Sequence, residues 1–277
     1  MDLEQTLVNI VREAGQKIKE KALDFNHMEW KKLDDPVTIL DQNTEQFIKQ
    51  EMKFRYGNAN FIGEEFGTQD NKAKYTLIID PIDGTKSFIR REFYCSTSVG
   101  IEENGKLIGG IVNDFMKDII YVAFRDNAYI WYQNGKLPMY KKCELSKPNI
   151  CLDKEYYTRV PQIEDDKRFF TKEQRGSFAL TLAHLASGTY DAAIFTKDNK
   201  GKIWDVAGGY YIAKQQGYYI KDNKGKKFDY KNPNKGFVAI KPDLVEIIRP
   251  LIERKKYIKY EIVQAKDHHD WEDHLDG

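Results

Sequence analysis

The chain has 277 residues, which is long enough to bury a large core without disulfides or a structural metal. Its 44 basic and 43 acidic residues leave a formal net charge of +1, which argues against a nucleic acid polymer or a membrane as partner. The 3 cysteines are odd in number and lack CxxC spacing, so they predict neither a disulfide framework nor a zinc site. With no signal-peptide pattern at the N-terminus, we expect a cytoplasmic protein with a small-molecule partner.

The first half of the chain predicts two helices followed by a series of strands. Apolar residues at helical spacing indicate a helix over residues 3–22, and a second helix is expected to open at Asp41 and to end at Gly57. Short β-prone runs over residues 93–133, separated by Asn-Gly turn signals, indicate an antiparallel or mixed meander.

The second half alternates helices and strands. Residues 136–175 predict at most one clear strand, near residues 150–152. The remaining predictions are a helix closed by Gly188, a strand over 192–195, a helix over 204–216, a strand over 237–240 and a helix over 243–254. We therefore expect an α/β fold, with a mixed or antiparallel sheet in the N-terminal half and a second α/β sheet in the C-terminal half.

Three regions are predicted along the chain. Residues 1–140 form an N-terminal α+β half that carries most of the candidate metal ligands, and residues 141–265 form a C-terminal α/β half. Residues 266–277 contain histidines among acidic residues and are expected to form a disordered tail.

The stretch Asp80-Pro81-Ile82-Asp83-Gly84-Thr85 follows an apolar run over residues 75–79 that predicts a buried strand. Its two carboxylates therefore lie at the carboxyl end of a strand, where ligands bind in open α/β sheets. Gly84 permits a tight turn, and Thr85 is a good N-cap for a following helix. Ordinary turn chemistry is the alternative, but carboxylates beside a helix N-terminus favour a cation that holds a phosphate.

Three further acids, Asp41, Glu64 and Asp205, stand at the ends of predicted elements. Taken singly they have plainer interpretations: a helix cap, a solvated surface residue and a favourable charge in a first helical turn. Taken together with Asp80 and Asp83 they form an all-oxygen set, which suits Mg²⁺ or Mn²⁺ better than zinc. Clustered carboxylates repel one another, and two or three divalent ions would remove that repulsion.

These segments resemble the three signature motifs of the inositol monophosphatase family of lithium-sensitive, magnesium-dependent phosphatases. The matching residues are Ile62-Gly63-Glu64-Glu65, Asp80 to Thr85 and Trp204-Asp205-Val206-Ala207-Gly208, with Val37-Thr38, Asp41 and Glu45 matching an upstream pattern. The resemblance covers about residues 3–262. It implies the layered αβαβα fold of the sugar phosphatases and a homodimer.

The resemblance also implies a ligand set for the cations. Glu64, Asp80 and the main-chain carbonyl of Ile82 would hold one metal ion. Asp80, Asp83 and Asp205 would hold a second, and Glu64 with waters would hold a third.

Catalytic roles follow from the same resemblance. Thr85 and Asp41 would form a hydrogen-bonded pair that orients and deprotonates a metal-bound water, with Glu64 as a further catalytic residue. The amides of Gly84 and Thr85 would bind phosphate oxygens. No motif places a cysteine or histidine nucleophile, so we expect direct attack by water on a phosphate monoester.

Substrate choice is open at this point. Inositol-specific members of the family carry a glutamate before the Trp-Asp motif, and Asp198 stands at the same distance from Asp205. Lys86 and Arg90 instead resemble the Lys-x-Phe-x-Arg stretch of phosphatases acting on 3′-phosphoadenosine 5′-phosphate. With Arg175 they would engage a second phosphate, and Ser177 is a further candidate for substrate binding.

Three functions are therefore compatible with the sequence. The leading prediction is a Mg²⁺-dependent phosphomonoesterase that hydrolyses inositol monophosphate by direct attack of a metal-activated water. The alternatives are an NADP(H) 2′-phosphatase or 3′-phosphoadenosine 5′-phosphate phosphatase with the same metal site, and a non-catalytic regulator that binds phosphate or metal.

Overall fold

The computed structural model describes residues 2–22, 28–32, 35–133, 135–139, 147–153, 163, 165–196 and 201–253, without side-chain detail for residues 28–38. Asp198 and the tail over residues 266–277 lie outside this part of the chain. Within it, no helix combines the length and the apolar character needed to cross a bilayer.

The described residues form six α-helices. These are α1 (Leu3–Lys21), α2 (Ile39–Arg55), α3 (Thr85–Ile89), α4 (Phe178–Ala186), α5 (Ile203–Gln215) and α6 (Val245–Glu253). Two short 3₁₀ turns, Pro233–Lys235 and Pro242–Leu244, precede the last strand and the last helix.

The N-terminal half builds an eight-stranded sheet and a separate hairpin. The hairpin pairs β1 (Met28–Lys32) with β2 (Asp35–Thr38). The sheet contains β3 (Asn60–Gly63), β4 (Gly67–Gln69), β5 (Tyr75–Asp83), β6 (Ser96–Glu103), β7 (Lys106–Asp114), β8 (Ile119–Phe124), β9 (Asn127–Tyr132) and β10 (Gly135–Pro138). Its order is β10-β9-β8-β7-β6-β5-β3-β4, and only the β3–β5 pair is parallel.

The C-terminal half builds a five-stranded mixed sheet. Its strands are β11 (Asn149–Leu152), β12 (Phe170–Glu173), β13 (Ala192–Phe195), β14 (Tyr219–Asp222) and β15 (Phe237–Ile240). They are ordered β12-β11-β13-β15-β14, with β11 parallel to both β12 and β13.

Five layers stack through the three largest of the four apolar clusters found among the described residues. Helices α1 and α2 pack on one face of the large sheet, α4 and α5 lie between the two sheets, and α6 covers the outer face of the small sheet. Successive residues alternate between cores: Leu77 faces α1 and α2, whereas Ile78 faces the central helices. Both faces of each sheet are covered, so strands such as β5 and β13 are buried at nearly every position. The expected αβαβα fold is confirmed.

Local boundaries differ from the sequence predictions. Helix α2 begins at Ile39, so Asp41 is its third residue and not its cap, and Gly84 is the N-cap of α3 where Thr85 was expected. Strand β5 continues through Pro81, because a register shift against β6 accommodates the missing N–H. Strands β10, β12 and β14 were not predicted, because their short sequences, GKLP, FTKE and YIKD, show no clear apolar alternation.

Glycines let helix α5 approach the large sheet unusually closely. A Cβ added at Gly110 of β7 would lie 2.1 Å from the carbonyl oxygen of Gly208 in α5. A Cβ added at Gly100 of β6 would lie 2.7 Å from the Cβ of Ala207. These contacts fix the depth at which α5, and therefore Asp205 in its first turn, sits over the sheet.

We expect Gly110→Ala to lower the free energy of unfolding by about 1–3 kcal/mol, because the added methyl must displace the backbone of α5. Urea denaturation measures this loss. Gly135→Ala is the matched control, since its added Cβ would meet its nearest neighbour, the Tyr132 carbonyl oxygen, at 3.7 Å. The control should change stability by less than about 0.5 kcal/mol. Equal losses in the two variants would contradict the close packing described here.

Candidate active site

Three carboxylates converge at the carboxyl end of β5. Ligand atoms of Asp80, Asp83 and Asp205 all lie within 4.8 Å of one another. Asp80 and Asp83 are three residues apart on one strand, so a regular pleat would direct them to opposite faces. The register shift between them removes that alternation and lets both carboxylates face the first turn of α5, which carries Asp205.

Burial and mutual repulsion raise the pKa values of this cluster. The pKa of Asp80 lies well above its usual range, because of burial first and then the negative charges of Glu64, Asp83, Asp205 and Asp41. Burial and the charge of Asp205 raise the pKa of Asp83 to about 8. Burial raises the pKa of Asp205 to about 6, although the Lys202 amide donates a hydrogen bond to its carboxylate.

The donor set fits a hard divalent cation. The Oδ1 atom of Asp80 is buried and has no hydrogen-bond partner among the described residues. Three carboxylates at this distance repel one another, and a compact divalent cation between them would replace this repulsion with attraction. Asp80, Asp83 and Asp205 are thus brought together as the sequence predicted, and this group could hold a metal ion.

Asp83 is tethered to the C-terminal half of the chain. The Ser177 hydroxyl donates to Asp83 Oδ2 at 2.5 Å, and the Ala179 amide donates to the same oxygen at 2.7 Å. Ser177 also caps α4, since its hydroxyl accepts a hydrogen bond from the Leu180 amide at 2.9 Å. Its side chain is fully buried, with 0% of its surface exposed. This geometry favours a positioning role for Ser177 over the expected contact with substrate.

Glu64 is positioned through Glu45 of α2. A Glu45 carboxylate oxygen accepts a hydrogen bond from the Glu65 amide at 2.8 Å, and Lys49 forms an ion pair with Glu45 at 2.6 Å. A Cβ at Gly63 would lie 1.9 Å from Glu45, so only glycine fits there. Helix α2 therefore sets the loop that carries Glu64, whose charge acts on Asp80. Asp41, on the same helix, is 1% exposed and also acts on Asp80.

The Thr85 hydroxyl donates to the carbonyl oxygen of Ile82 at 2.9 Å. A hydroxyl carries one hydrogen, so the expected bond from Thr85 to Asp41 requires this bond to break. The Thr85–Asp41 pair therefore stays a prediction, as does the role of the Ile82 carbonyl as a metal ligand.

Two glycines bring the start of α3 against the loop before α4. Gly84 has a φ of +88°, and an added Cβ would lie 2.8 Å from both the Ser177 nitrogen and the Tyr94 carbonyl oxygen. Gly176 has a φ of +68°, and its Cβ would lie 2.1 Å from the same carbonyl. For Gly84 the sequence predicted a tight turn and an amide that binds phosphate, but not this close approach, and it gave no prediction for Gly176. The one sequence feature that could have indicated Gly176 is its position directly before Ser177, which caps α4.

A cavity of about 500 Å³ opens beside the first turn of α3. Its lining includes Gly84 and Thr85 together with the basic residues Lys86, Arg90 and Arg175. Two acidic residues, Glu92 and Glu173, also line it. The structure therefore places the three predicted basic residues in one cavity, adjoining the residues expected to bind phosphate.

Residues 2–255 match the model of the inositol monophosphatase family. The chain is 30% identical over 235 residues to inositol monophosphatase 3 of Solanum lycopersicum, covering 80% of this chain and 86% of that protein. It is 29% identical over 224 residues to a fructose-1,6-bisphosphatase/inositol-1-monophosphatase of Methanocaldococcus jannaschii, covering 79% of this chain and 85% of that protein.

A solved structure of a 2′AMP-bound inositol monophosphatase II of Staphylococcus aureus superposes with a TM-score of 0.73 at 26% identity. The match covers 91% of this chain and 95% of that one. The fold and the carboxylate cluster thus define a phosphoric monoester hydrolase. The chain belongs to the inositol monophosphatase family.

The pKa of Asp83 predicts how stability depends on pH in the metal-free protein. An unfolded aspartate has a pKa of about 3.9, whereas folded Asp83 has a pKa of about 8. The folded chain therefore holds a proton that the unfolded chain releases between these values. The free energy of unfolding in EDTA should consequently fall as the pH rises from about 5 to about 8. Asp205, with a pKa of about 6, acts in the same direction.

Urea denaturation in EDTA at several pH values measures this slope. Asp83→Asn removes the titrating group, so its slope should be shallower than that of the wild type. A saturating divalent cation should also flatten the wild-type slope, because it neutralises the carboxylates without protons. Identical slopes for the wild type and Asp83→Asn would show that Asp83 is already ionised in the folded state.

Proposed function

We propose that the protein is a Mg²⁺-dependent phosphomonoesterase that hydrolyses inositol monophosphate. The observation that carries the proposal is the buried cluster of Asp80, Asp83 and Asp205 beside the N-terminus of α3. Two or three Mg²⁺ ions per site, with Mn²⁺ as a substitute, would balance the cluster and the substrate phosphate together. The carboxylates of Glu64, Asp80, Asp83 and Asp205 and the Ile82 carbonyl would hold these ions.

The cations would neutralise the phosphate and the leaving alkoxide and lower the pKa of the attacking water. The amides of Gly84 and Thr85 would donate to phosphate oxygens and orient the ester for in-line attack. If the Thr85 hydroxyl turns from the Ile82 carbonyl to Asp41, its oxygen is free to accept a proton from the attacking water. Asp41 would then accept the hydroxyl hydrogen and act as the general base behind Thr85.

Direct attack by water is favoured because the nearby nucleophiles are unsuitable. The Cys95 thiol is buried, and burial raises its pKa above the usual range. His184 is buried among tyrosines, where burial lowers its pKa to about 4, and its Nδ1 lies 3.2 Å from the Tyr94 hydroxyl. Neither side chain can form a covalent phosphoenzyme without leaving its packing.

Asp80→Asn should lower kcat/KM for inositol 1-phosphate by about 100-fold or more, since even residues that merely support metal ligands contribute 10–100-fold. Phosphate release in Mg²⁺ measures this effect, and EDTA should abolish the wild-type rate. Asp114→Asn is the matched control, because Asp114 is a buried aspartate at the end of β7 whose carboxylate is paired with Lys117 at 2.7 Å. Wild-type turnover in EDTA, or equal losses in both variants, would contradict the proposed metal mechanism.

The basic cavity favours a second candidate, a phosphatase acting on NADP(H) or 3′-phosphoadenosine 5′-phosphate. Lys86, Arg90 and Arg175 line the cavity and form no ion pair with any described acidic residue. A substrate with a second phosphate group would supply the missing anion. The 2′AMP in the staphylococcal relative's structure shows that a member of this family binds a nucleotide monophosphate.

The two candidates predict different responses to removal of the basic charges. For NADP and 3′-phosphoadenosine 5′-phosphate, the double variant Arg90→Gln/Arg175→Gln should raise KM about 10-fold or more, because hydrogen bonds to charged groups contribute about 1.5–3 kcal/mol. KM for inositol 1-phosphate should not change. Lys172→Gln, an exposed charge on the neighbouring strand outside the cavity, is the control.

Comparison of wild-type kcat/KM values decides between the substrates. A preference of more than about a hundredfold for either nucleotide, equivalent to roughly 2.7 kcal/mol of transition-state binding, would overturn the inositol assignment. Uniform effects of the double variant on all three substrates would remove the argument for a second-phosphate site.

The proposal extends to inhibition, oligomeric state and location. We expect inhibition by lithium and a homodimer, as the family resemblance implied. We also expect a cytoplasmic location. Physically, Li⁺ would act by replacing a weakly held Mg²⁺ and retaining product phosphate. A purely non-catalytic regulator is disfavoured, because every predicted carboxylate ligand is present in the sequence.

A further inference from the structure

Three consecutive residues of β6, Ser96, Thr97 and Ser98, carry hydroxyl groups beside the end of β5 that bears the carboxylates. All three residues are fully buried. In the register of the two strands, Ser96 lies opposite Asp83. Two residues further along β6, Ser98 lies opposite Asp80. Because buried hydroxyls are normally hydrogen-bonded, each of the three is expected to have a partner.

The first two hydroxyls support the stretch between the two aspartates. The Oγ atoms of Ser96 and Ser177 lie 2.9 Å apart, and Ser177 donates in turn to Asp83 at 2.5 Å. Since the single hydroxyl hydrogen of Ser177 is used on Asp83, Ser96 is the donor in the first contact. The Thr97 hydroxyl donates to the carbonyl oxygen of Pro81 at 2.9 Å. One hydroxyl therefore supports Asp83 through Ser177, and the next holds the backbone between the aspartates.

The third hydroxyl differs from the other two. The Oγ atom of Ser98 is buried and has no hydrogen-bond partner among the described residues. The Oδ1 atom of Asp80, on the opposite strand, is also buried and without a partner in that part of the chain. Directly opposed residues of an antiparallel pair share one face of the sheet, with Cβ atoms about 4.5–5.5 Å apart. A donor and an acceptor that both lack a partner are therefore neighbours in the core.

Helix α5 confines the Ser98 hydroxyl beside Asp80. A Cβ added at Gly208 would lie 2.7 Å from Ser98 Oγ, so the glycine leaves the room that this hydroxyl occupies. Gly208 lies three residues after Asp205 in the same helix. A serine hydroxyl changes its partner by rotation about the Cα–Cβ bond alone. At the Cβ separation of directly opposed residues, that rotation brings a serine oxygen within hydrogen-bonding reach of a carboxylate.

We propose that Ser98 is a positioning residue, whose hydroxyl donates a hydrogen bond to Asp80 Oδ1 when the site holds a divalent cation. Of the two lone pairs on a carboxylate oxygen, one is available to a cation and the other to a hydroxyl. Hydrogen bonds of this kind fix the orientation of metal ligands. Ser98 thereby holds Asp80 as Ser177 holds Asp83. This inference rests on the cation site of the proposed function.

Titration of the full-length protein with Mn²⁺ tests this role, because the paramagnetic resonance signal of free Mn²⁺ is lost on binding. Ser98→Ala should weaken Mn²⁺ binding about 10-fold, as expected for a group that orients a metal ligand. Equal affinities of the variant and the wild type would overturn the proposal for Ser98 and leave the cation site intact. A wild type that binds no Mn²⁺ would instead overturn the cation site, and with it both proposals.

Urea denaturation in EDTA separates positioning from a general loss of stability. Without a cation, Ser98→Ala should be at least as stable as the wild type, because it removes a buried hydroxyl that has no partner among the described residues. A variant that loses stability in EDTA together with Mn²⁺ affinity would contradict the positioning role.

Thr6→Val is the matched control, since it removes one hydroxyl and keeps the shape of the side chain. Thr6 is fully buried in α1, on the face of the large sheet opposite α5, and its hydroxyl donates to the Asp2 carbonyl oxygen at 2.8 Å. Its loss should lower stability in EDTA and leave Mn²⁺ affinity unchanged. Equal weakening of Mn²⁺ binding in Thr6→Val and Ser98→Ala would assign the effect to the core as a whole and overturn the proposal.

Discussion

Repulsion among Asp80, Asp83 and Asp205 is the interaction around which the rest of the structure is arranged. Three negative groups within 4.8 Å of one another would separate if their backbones were free. The fold holds them from three directions. An irregular strand end carries two of them, the close contact of α5 with the sheet fixes the third, and the hydroxyl of Ser177 restrains Asp83. The raised pKa values of the three carboxylates reflect the cost of holding these charges together, which a bound cation would offset.

The central helices connect this site to both sheets. Helix α4 brings Ser177 to Asp83, and α5 brings Asp205 to Asp80. Both helices pack on the large sheet on one side and on the small sheet on the other. The active site is thus formed at the boundary of the two halves and belongs to neither alone. The basic cavity is also lined by both halves, since Lys86 and Arg90 come from the N-terminal half and Arg175 from the C-terminal half.

The sequence predicted the elements whose signals are local. The apolar run before Asp80, the helical spacing in α1 and the three motifs each depend on neighbouring residues, and they located the acids that converge. Features that depend on contacts between residues far apart in the sequence could not be predicted from it. The bond between Ser177 and Asp83 spans 94 positions, and the glycine contact between β7 and α5 joins two ordinary small residues. Strands β10 and β12 are held by hydrogen bonds to neighbouring strands and not by an alternating pattern of their own.

The tether between Ser177 and Asp83 has a consequence for the biosynthesis of the protein. Asp80 and Asp83 are made early, but their partners are Ser177 and Asp205, much later in the chain. During translation the complete set of ligands cannot assemble until α5 has left the ribosome and packed on the large sheet. A nascent chain that ends before Asp205 therefore presents an incomplete set of carboxylates, and the set is complete only after α5 has been made.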